Sequence, residues 1–224
     1  KMPEVAPHMA AIRKSAEAVS ASLTLLPGRR FALQVVEYST FEEMLSGANT
    51  LLRRDQLVGL IGAYWTTDSQ SVHMLARGQK KPMLSFHADS TILSSAVTYP
   101  NFMRGCASTL ELATAMMDVL VYLSWASFAL AYSGTASARL AKTEVLQQAK
   151  AKGRAQVAAM ELVYHPNRVI SKAESEPSLE RIKGTGATIV ICWIDQSDWA
   201  VVVKTAASIG ITGTGRAWVV PEDM

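Results

Sequence analysis

The chain has 224 residues, of which 49% are hydrophobic and 18% are charged. This is enough apolar material for one large domain or two modest ones. The 22 lysines and arginines stand against 19 acids, a net charge of +3, and they are spread along the sequence rather than gathered into a basic block. Nucleic acid is therefore not expected as a partner.

The two cysteines, Cys106 and Cys192, stand far apart and form no CxxC pair, which argues against a zinc framework or a disulfide-dense scaffold. They are expected to be two buried free thiols, with a single bridge as the alternative. The most membrane-like stretch, residues 113–132, contains Asp118 and two serines. It is therefore interpreted as a helix followed by a buried strand rather than as a membrane span.

Helices and strands alternate in the predicted order of elements. Apolar spacing predicts a helix at residues 8–26, which a Pro-Gly pair stops, and an apolar, β-branched strand at 31–38. Thr40 followed by Glu43 is a capping-box pattern that opens the next helix. The remaining predicted elements are strands at 57–61, 82–86, 127–131, 156–163, 187–194 and 217–220, an extended segment at 99–104, and helices at 68–77, 110–123, 136–152, 177–183 and 197–208.

This order of elements predicts the fold class. Strands separated by single helices need crossover connections, which produce a mainly parallel sheet covered by helices on both faces. The sequence therefore predicts a doubly wound α/β protein with one such sheet or two. Glycine pairs at residues 184–186 and 213–215 follow a helix and precede a strand, the opposite order from a phosphate-binding loop.

A resemblance to a known family covers most of the chain. Residues 58–95 resemble the first lobe of the type I periplasmic-binding-protein superfamily; their sequence is VGLIGAYWTTDSQSVHMLARGQKKPMLSFHADSTILSS. That superfamily includes branched-chain amino-acid binding proteins and receptor ectodomains. Its pattern occurs here in order: a strand ending in a turn similar to IIGP, a hydroxyl cluster that opens a helix, a lysine-proline step, and a strand followed by a serine- and threonine-rich turn.

The next segment, residues 99–133, is similar to the YPYFFRTVPSD strand, the long helix and the NW step of metabotropic glutamate receptors and natriuretic-peptide-type guanylyl cyclases. Residues 178–213 look more weakly like the helix, strand and helix of the second lobe. The match in the first of these segments is carried by Tyr99, Pro100, Phe102, Arg104 and Trp125.

The resemblance implies a two-lobed, Venus-flytrap ligand-binding domain of a receptor, and not an enzyme. The first lobe would comprise residues 1–107 and the second 108–224, with a hinge near 106–109 and the ligand between the lobes. The family's first strand and its later return to the first lobe have no counterpart here. The sequence is therefore interpreted as a fragment of a longer ectodomain with a partial first lobe, which implies an extracellular, cell-surface or periplasm-like location and membrane attachment only through other segments.

Ligand contacts are implied beyond the carboxyl ends of the strands, where helix N-termini present unpaired amides. Trp65, Thr66 and Thr67 follow the first of these strands. The threonine hydroxyls and the N–H groups at 67–69 would hold a carboxylate or another acceptor-rich group. The alternative is simple N-capping of the helix by Thr67 or Asp68.

A second set of implied contacts follows the next strand and continues into the second lobe. Asp89 stands where amino-acid receptors carry a hydroxyl, which favours a cationic or hydroxylated ligand. Thr109 stands where glutamate receptors place an aspartate, and a threonine does not supply the charge that pairs with an α-ammonium group. The implied contacts in this set are His87, Ala88, Asp89, Ser90, Thr109 and Ser133.

The expected partners are a small-molecule or peptide ligand and a second receptor chain, in a homodimer or heterodimer that meets through the helices at 40–53 and 68–77. The apolar residues of these helices have core packing as the default alternative; they are Met44, Leu45, Leu52, Met74 and Leu75. No metal or cofactor is expected. Two further interpretations stay open: a structural or dimerisation module with a degenerate cleft, and an α/β enzyme, for which the sequence holds no GxSxG, HExxH or GxxxxGK[ST] motif.

Overall fold

The structure, a computed structural model, describes residues 5–165 and 168–221 apart from residues 23 and 26. The chain divides into two compact units, Lys1–Cys106 and Ala107–Met224. Unit 1 contains a three-stranded sheet and unit 2 a four-stranded sheet, and all paired strands are parallel. The predicted α/β class with mainly parallel sheets is confirmed.

The sheet of unit 1 has the order β1-β2-β3 and is built from short strands. Leu60 pairs with Met83, and Met83 pairs with Phe102. Met83 is fully buried beneath the apolar residues of α2 and α3. The elements of this unit are α1 Val5–Ala21, α2 Phe41–Leu52, β1 Leu60–Ile61, α3 Thr66–Gly78, β2 Met83–Ser85, a 3-10 turn at Thr91–Ser94, and β3 Phe102–Arg104.

The capping box predicted for α2 is confirmed. The amide of Glu43 donates to Thr40 Oγ1 at 3.2 Å, and the Glu43 carboxylate accepts from the Thr40 amide at 3.2 Å. The predicted helix at 8–26 ends earlier, at Ala21, and two of the apolar residues in its predicted spacing, Leu23 and Leu26, lie outside the described residues.

The predicted strand at residues 31–38 is wrong, because this segment has no regular secondary structure. A strand exists only where a neighbouring backbone completes its ladder, and no described strand pairs with this segment. The segment instead packs through two side chains. Tyr38 lies against the core of unit 1, and Val36 fills the space that a side chain at Gly47 of α2 would need.

The sheet of unit 2 has the order β5-β4-β6-β7 and longer strands. The predicted helix at 177–183 begins earlier, at Lys172, so Pro177 lies inside it rather than at its entrance. The amide and hydroxyl of Ser171 both donate to the Glu174 carboxylate, which starts the helix one turn before the proline. The elements are α4 Thr109–Tyr122, β4 Ser127–Ser133, α5 Ala136–Ala151, β5 Ala155–Leu162, α6 Lys172–Gly184, β6 Ile189–Trp193, α7 Gln196–Ser208 and β7 Ala217–Val219.

Both faces of this second sheet are covered, as the doubly wound prediction requires. Alternate residues of a strand point to opposite faces. On β4, Phe128 and Leu130 pack with α4 and α5, whereas Ala129 and Ala131 pack with α6 and α7. All four side chains are fully buried, so β4 is the centre of the unit.

The apolar stretch at 113–132 consists of a helix and a strand, as predicted, because α4 ends at Tyr122 and β4 begins at Ser127. Among the described residues, no helix combines the length and apolar character needed to span a bilayer. Both cysteines are thiols that form no disulfide. Cys192 is buried as predicted, and burial raises the pKa of its thiol far above the usual range, whereas Cys106 is only half-buried.

Candidate functional site

The carboxyl ends of β1 and β2 meet at one edge of the sheet in unit 1, because the two strands are parallel neighbours. β1 ends at Ile61 and leads into residues 62–65 and α3, while β2 ends at Ser85 and leads into residues 86–90. Parallel α/β sheets bind their ligands at this edge. Both ligand-contacting turns predicted from the sequence therefore lie at the same edge of unit 1.

One carbonyl group ties the two turns together. Ala63 O accepts hydrogen bonds from Ser69 Oγ at 3.0 Å and from Ser85 Oγ at 2.8 Å. Ser85 Oγ in turn accepts from the amide of Ala88 at 3.0 Å. The side chains of Ser69 and Ser85 are fully buried, so these bonds hold the turns in place. Gly62 adopts a φ of 117°, a left-handed conformation that favours glycine.

The N-terminus of α3 is not capped by a side chain. Its N-cap residue is Trp65, which makes no side-chain cap bond, and the Ser69 amide is the one that donates to Trp65 O, at 2.9 Å. The alternative prediction of capping by Thr67 or Asp68 is therefore wrong, since both residues lie inside the helix. The amides at the start of α3 are those of residues 66–68, one position earlier than predicted from the sequence.

Asp68 makes a different contact. Its Oδ2 accepts from the Tyr38 hydroxyl at 3.1 Å. Burial and the neighbouring Asp68 charge raise the pKa of Tyr38 to about 12, so the phenol remains a donor. The carboxylate nearest to the start of α3 in sequence is thereby directed toward the segment that precedes α2.

The other helices of the chain differ in how their N-termini are capped. Thr40 at α2, Ser108 at α4 and Thr135 at α5 each accept a hydrogen bond from an amide of the first turn. α7, by contrast, has Asp195 as its N-cap residue, which makes no side-chain cap bond and lies at the carboxyl end of β6. An uncapped N-terminus therefore occurs in each unit at the end of a strand, where it retains free N–H donors and the positive end of the helix dipole.

Aromatic rings surround the start of α3. The rings of Tyr64 and His87 are stacked at 3.8 Å with an interplanar angle of 16°. Trp65 stands perpendicular to both, 4.8 Å from Tyr64 and 5.7 Å from His87. Phe86 lies 5.9 Å from Tyr64 and is stacked at 5.0 Å on His8 of α1. We call these five residues the ring cluster.

The predicted ligand contacts differ in their accessibility. Trp65 and Thr67 are exposed, and Thr66, His87 and Asp89 are half-buried. The remaining four are buried: Ala88, Ser90, Thr109 and Ser133. Tyr64, Phe86 and His8, which complete the ring cluster, were not predicted as ligand contacts. Phe86 directly follows β2 and Tyr64 comes three residues after β1, and these aromatic positions beyond the strands were a sequence signal for two of them.

Unit 2 has its own polar edge at the ends of β4 and β5. Ser133 Oγ lies 3.2 Å from Thr135 Oγ1, and Arg139 makes two bonds to the Glu161 carboxylate, at 2.6 and 3.0 Å. Hydrogen bonds from Arg139 lower the pKa of Glu161. A side-chain carbon at Gly134 would lie 3.3 Å from Glu161 Oε1, so glycine gives the turn its close approach to β5.

No group of three or more histidine, cysteine, aspartate or glutamate side chains within the described residues is placed to hold a metal ion. A search of curated proteins finds no match to this chain. The model of the receptor family ligand binding region, however, matches residues 8–224. This match covers both units and agrees with their two parallel α/β sheets, so the chain belongs to the receptor family of ligand-binding regions.

Proposed function

We propose that the chain is the extracellular ligand-binding domain of a receptor, in which a small molecule or peptide binds in a cleft between the two lobes. The observation that carries the proposal is the uncapped start of α3 at the carboxyl edge of the sheet. Unpaired N–H groups at a helix N-terminus bind carboxylates and other acceptor-rich groups. The match to a receptor ligand-binding family supports a ligand site at this edge.

Ligand binding would signal by changing the arrangement of the lobes. A ligand that contacts both lobes has a higher affinity for their closed arrangement, and this difference in affinity supplies the free energy of the change. The edge of unit 2 offers the second set of contacts, at Ser133 and at the uncapped start of α7. Closure would then reach an attached signalling portion through a rearranged dimer.

The helices of unit 1 supply the dimer surface in this proposal. Met44 and Leu52 of α2 belong to the core, in agreement with the alternative of core packing. On α3, however, Met74 is 57% exposed and Leu75 is 36% exposed. Aliphatic side chains of this size favour burial in an interface. We therefore expect α3 to contact the second chain, and Met74→Glu to shift the dimer to monomer in light scattering.

The ligand site is tested by removing one amide. Thr66 is the first residue of α3, a position where proline is well tolerated because its missing N–H has no partner in the helix. Trp65 has φ −81° and ψ 152°, the extended conformation that a residue before proline needs. Thr66→Pro should keep the melting temperature and abolish the thermal stabilisation given by amino acids, small acids, amines or peptides.

The matched control is Phe41→Pro, at the first position of the capped helix α2. Its N-cap residue Thr40 is also extended, with φ −126° and ψ 158°, so this proline removes an amide of the same kind away from the proposed site. Ligand stabilisation should survive in Phe41→Pro. Equal stabilisation of the wild type and Thr66→Pro by every class of compound would contradict the site.

A module that binds no small molecule is the second candidate. It is favoured by the hydroxyls of Ser69 and Ser85, which are both engaged by the Ala63 carbonyl, and by the burial of Thr109 and Ser133. In that case no compound class would raise the melting temperature. Met74→Glu would still dissociate the dimer, because dimerisation alone would be the function.

A further inference from the structure

The ring cluster lies outside the hydrophobic cores of unit 1. The core clusters of this unit collect residues of α2, α3 and the three strands around Met83, and a smaller set around Leu93. None of the five members of the ring cluster belongs to either. The rings are instead gathered at the carboxyl edge of the sheet, where Trp65 remains 43% exposed.

The geometry of the cluster forms a corner. Tyr64 and His87 lie nearly parallel, at 16°, and Trp65 stands at 80° to Tyr64 and 81° to His87. A flat ring that enters such a corner can stack on one wall and meet the other wall edge to face. These are the two arrangements that aromatic pairs prefer. A branched aliphatic group fits both arrangements less well than a flat aromatic ring does.

The corner adjoins the start of α3, because Trp65 is both its exposed wall and the N-cap residue of the helix. The positive end of the helix dipole favours an anion and disfavours a cation at this point. The Asp68 carboxylate in the first turn is hydrogen-bonded to Tyr38. Aromatic surface and an anion-binding terminus are thus presented together by one residue.

We infer that the ligand of this site is a small aromatic carboxylate, with its ring in the corner of Trp65, Tyr64 and His87 and its acid group on the first amides of α3. The inference rests on the proposed function for the acid group, and the ring cluster adds the chemical class of the remainder. An aromatic carboxylate differs from the cationic or hydroxylated ligand that the sequence favours on the basis of Asp89.

The test compares aromatic acids with their ring-saturated counterparts by calorimetric titration of the full chain. The pairs are benzoate with cyclohexanecarboxylate and phenylacetate with cyclohexylacetate, with indole-3-acetate and phenethylamine as further probes. Stacking on an aromatic side chain favours a planar ring over a saturated one. At least one aromatic acid should therefore bind about tenfold or more tightly than its saturated partner.

Variants locate the effect. Trp65→Ala should weaken the aromatic acid about tenfold while changing its saturated partner little, and Trp65→Phe should restore most of the preference because it keeps a ring. Thr66→Pro should weaken both members of a pair alike. Melting temperatures check that each variant is folded.

The possible failures separate the inference from the proposed function. If saturated acids bind as tightly as aromatic ones and Thr66→Pro weakens both, the aromatic preference is overturned and the acid-binding site stands. If phenethylamine binds in place of the acids, the anionic class is overturned. If no probe binds, both the inference and the small-molecule site fail.

Discussion

The two units contain the same kind of sheet but differ in how it is stabilised. In unit 2, β4 and β5 have seven and eight residues, and apolar clusters cover both faces of the sheet. In the described part of unit 1, no strand exceeds three residues, and polar bonds hold the intervening turns. Unit 2 is therefore a packed scaffold, whereas the loops of unit 1 carry the candidate ligand site.

Several side chains of unit 1 donate hydrogen bonds to backbone carbonyls. Arg104 Nη1 donates to the carbonyls of Asp89 and Ser90, at 2.9 and 3.2 Å, and Lys81 Nζ donates to Leu57 O at 2.6 Å. Such bonds fix the positions of turns without burying much apolar surface. Unit 1 should therefore lose less stability than unit 2 when a buried leucine is truncated.

The largest expected effect comes from truncating one leucine in each unit. Leu130 is fully buried at the centre of β4, and Leu93 is buried in the small cluster with Ala88 and Tyr99. Replacing a buried leucine by alanine costs about 2–5 kcal/mol, and more where the surroundings cannot collapse. Leu130→Ala should lie near the upper end of this range and Leu93→Ala near the lower end.

Urea unfolding followed by circular dichroism and tryptophan fluorescence measures both losses. Four of the five tryptophans lie in unit 2 and Trp65 alone lies in unit 1, so Trp65→Phe provides a control for the signal of unit 1. Equal losses for the two leucines would remove the energetic contrast between the units. A larger loss for Leu93→Ala would reverse it.

A buried histidine gives unit 1 a predicted sensitivity to acid. His73 of α3 is fully buried near the rings of Tyr99 and Phe102, at 5.2 and 6.1 Å, and neither of its nitrogens has a hydrogen-bond partner. Burial, and to a smaller extent the Arg77 charge, lower the pKa of His73. The unfolded chain therefore binds this proton first as the pH falls, and the free energy of unfolding decreases.

The loss should begin near pH 6.5, the ordinary pKa of histidine, and one proton changes the free energy of unfolding by at most about 1.4 kcal/mol per pH unit. His73→Leu should flatten this dependence between pH 7.5 and 5.5, and it removes two unpaired nitrogens as well. His8→Gln, on the exposed face of α1, is the control. A wild-type pH profile that His73→Leu leaves unchanged would refute the assignment to this residue.

The sequence predicted the fold where packing and local pattern agree. The continuous apolar run of β6 and the apolar start of β4 identified strands that are buried on both faces. The strand predicted at 31–38 failed because β-branched composition does not supply a pairing partner. The predicted start of α6 was wrong because the hydrogen bonds between Ser171 and Glu174 begin the helix one turn earlier, although proline prefers the first turn of a helix.

The candidate site was predictable in its position and not in its contacts. The resemblance placed Trp65, Thr66 and Thr67 after a strand, and the structure has them there. The N-cap residue differed because helix boundaries are uncertain by one or two positions in any pattern. The stacking of Tyr64 on His87 depends on two turns that meet only in the folded unit, so no local pattern indicates it.

The smallest expected effects separate capping hydroxyls from ligand-binding hydroxyls. Ser108 accepts from the Glu111 amide at 3.2 Å at the start of α4, and replacing such a cap by alanine costs about 1 kcal/mol. Thr66 makes no cap bond, because Trp65 is the N-cap residue of α3. Ser108→Ala and Thr40→Ala should therefore each lower the free energy of urea unfolding by that amount, whereas Thr66→Ala should change it by only a few tenths of a kcal/mol. A loss in Thr66→Ala as large as that in Ser108→Ala would mean that this hydroxyl stabilises its own helix, and fewer of the first amides of α3 would then be left for a ligand.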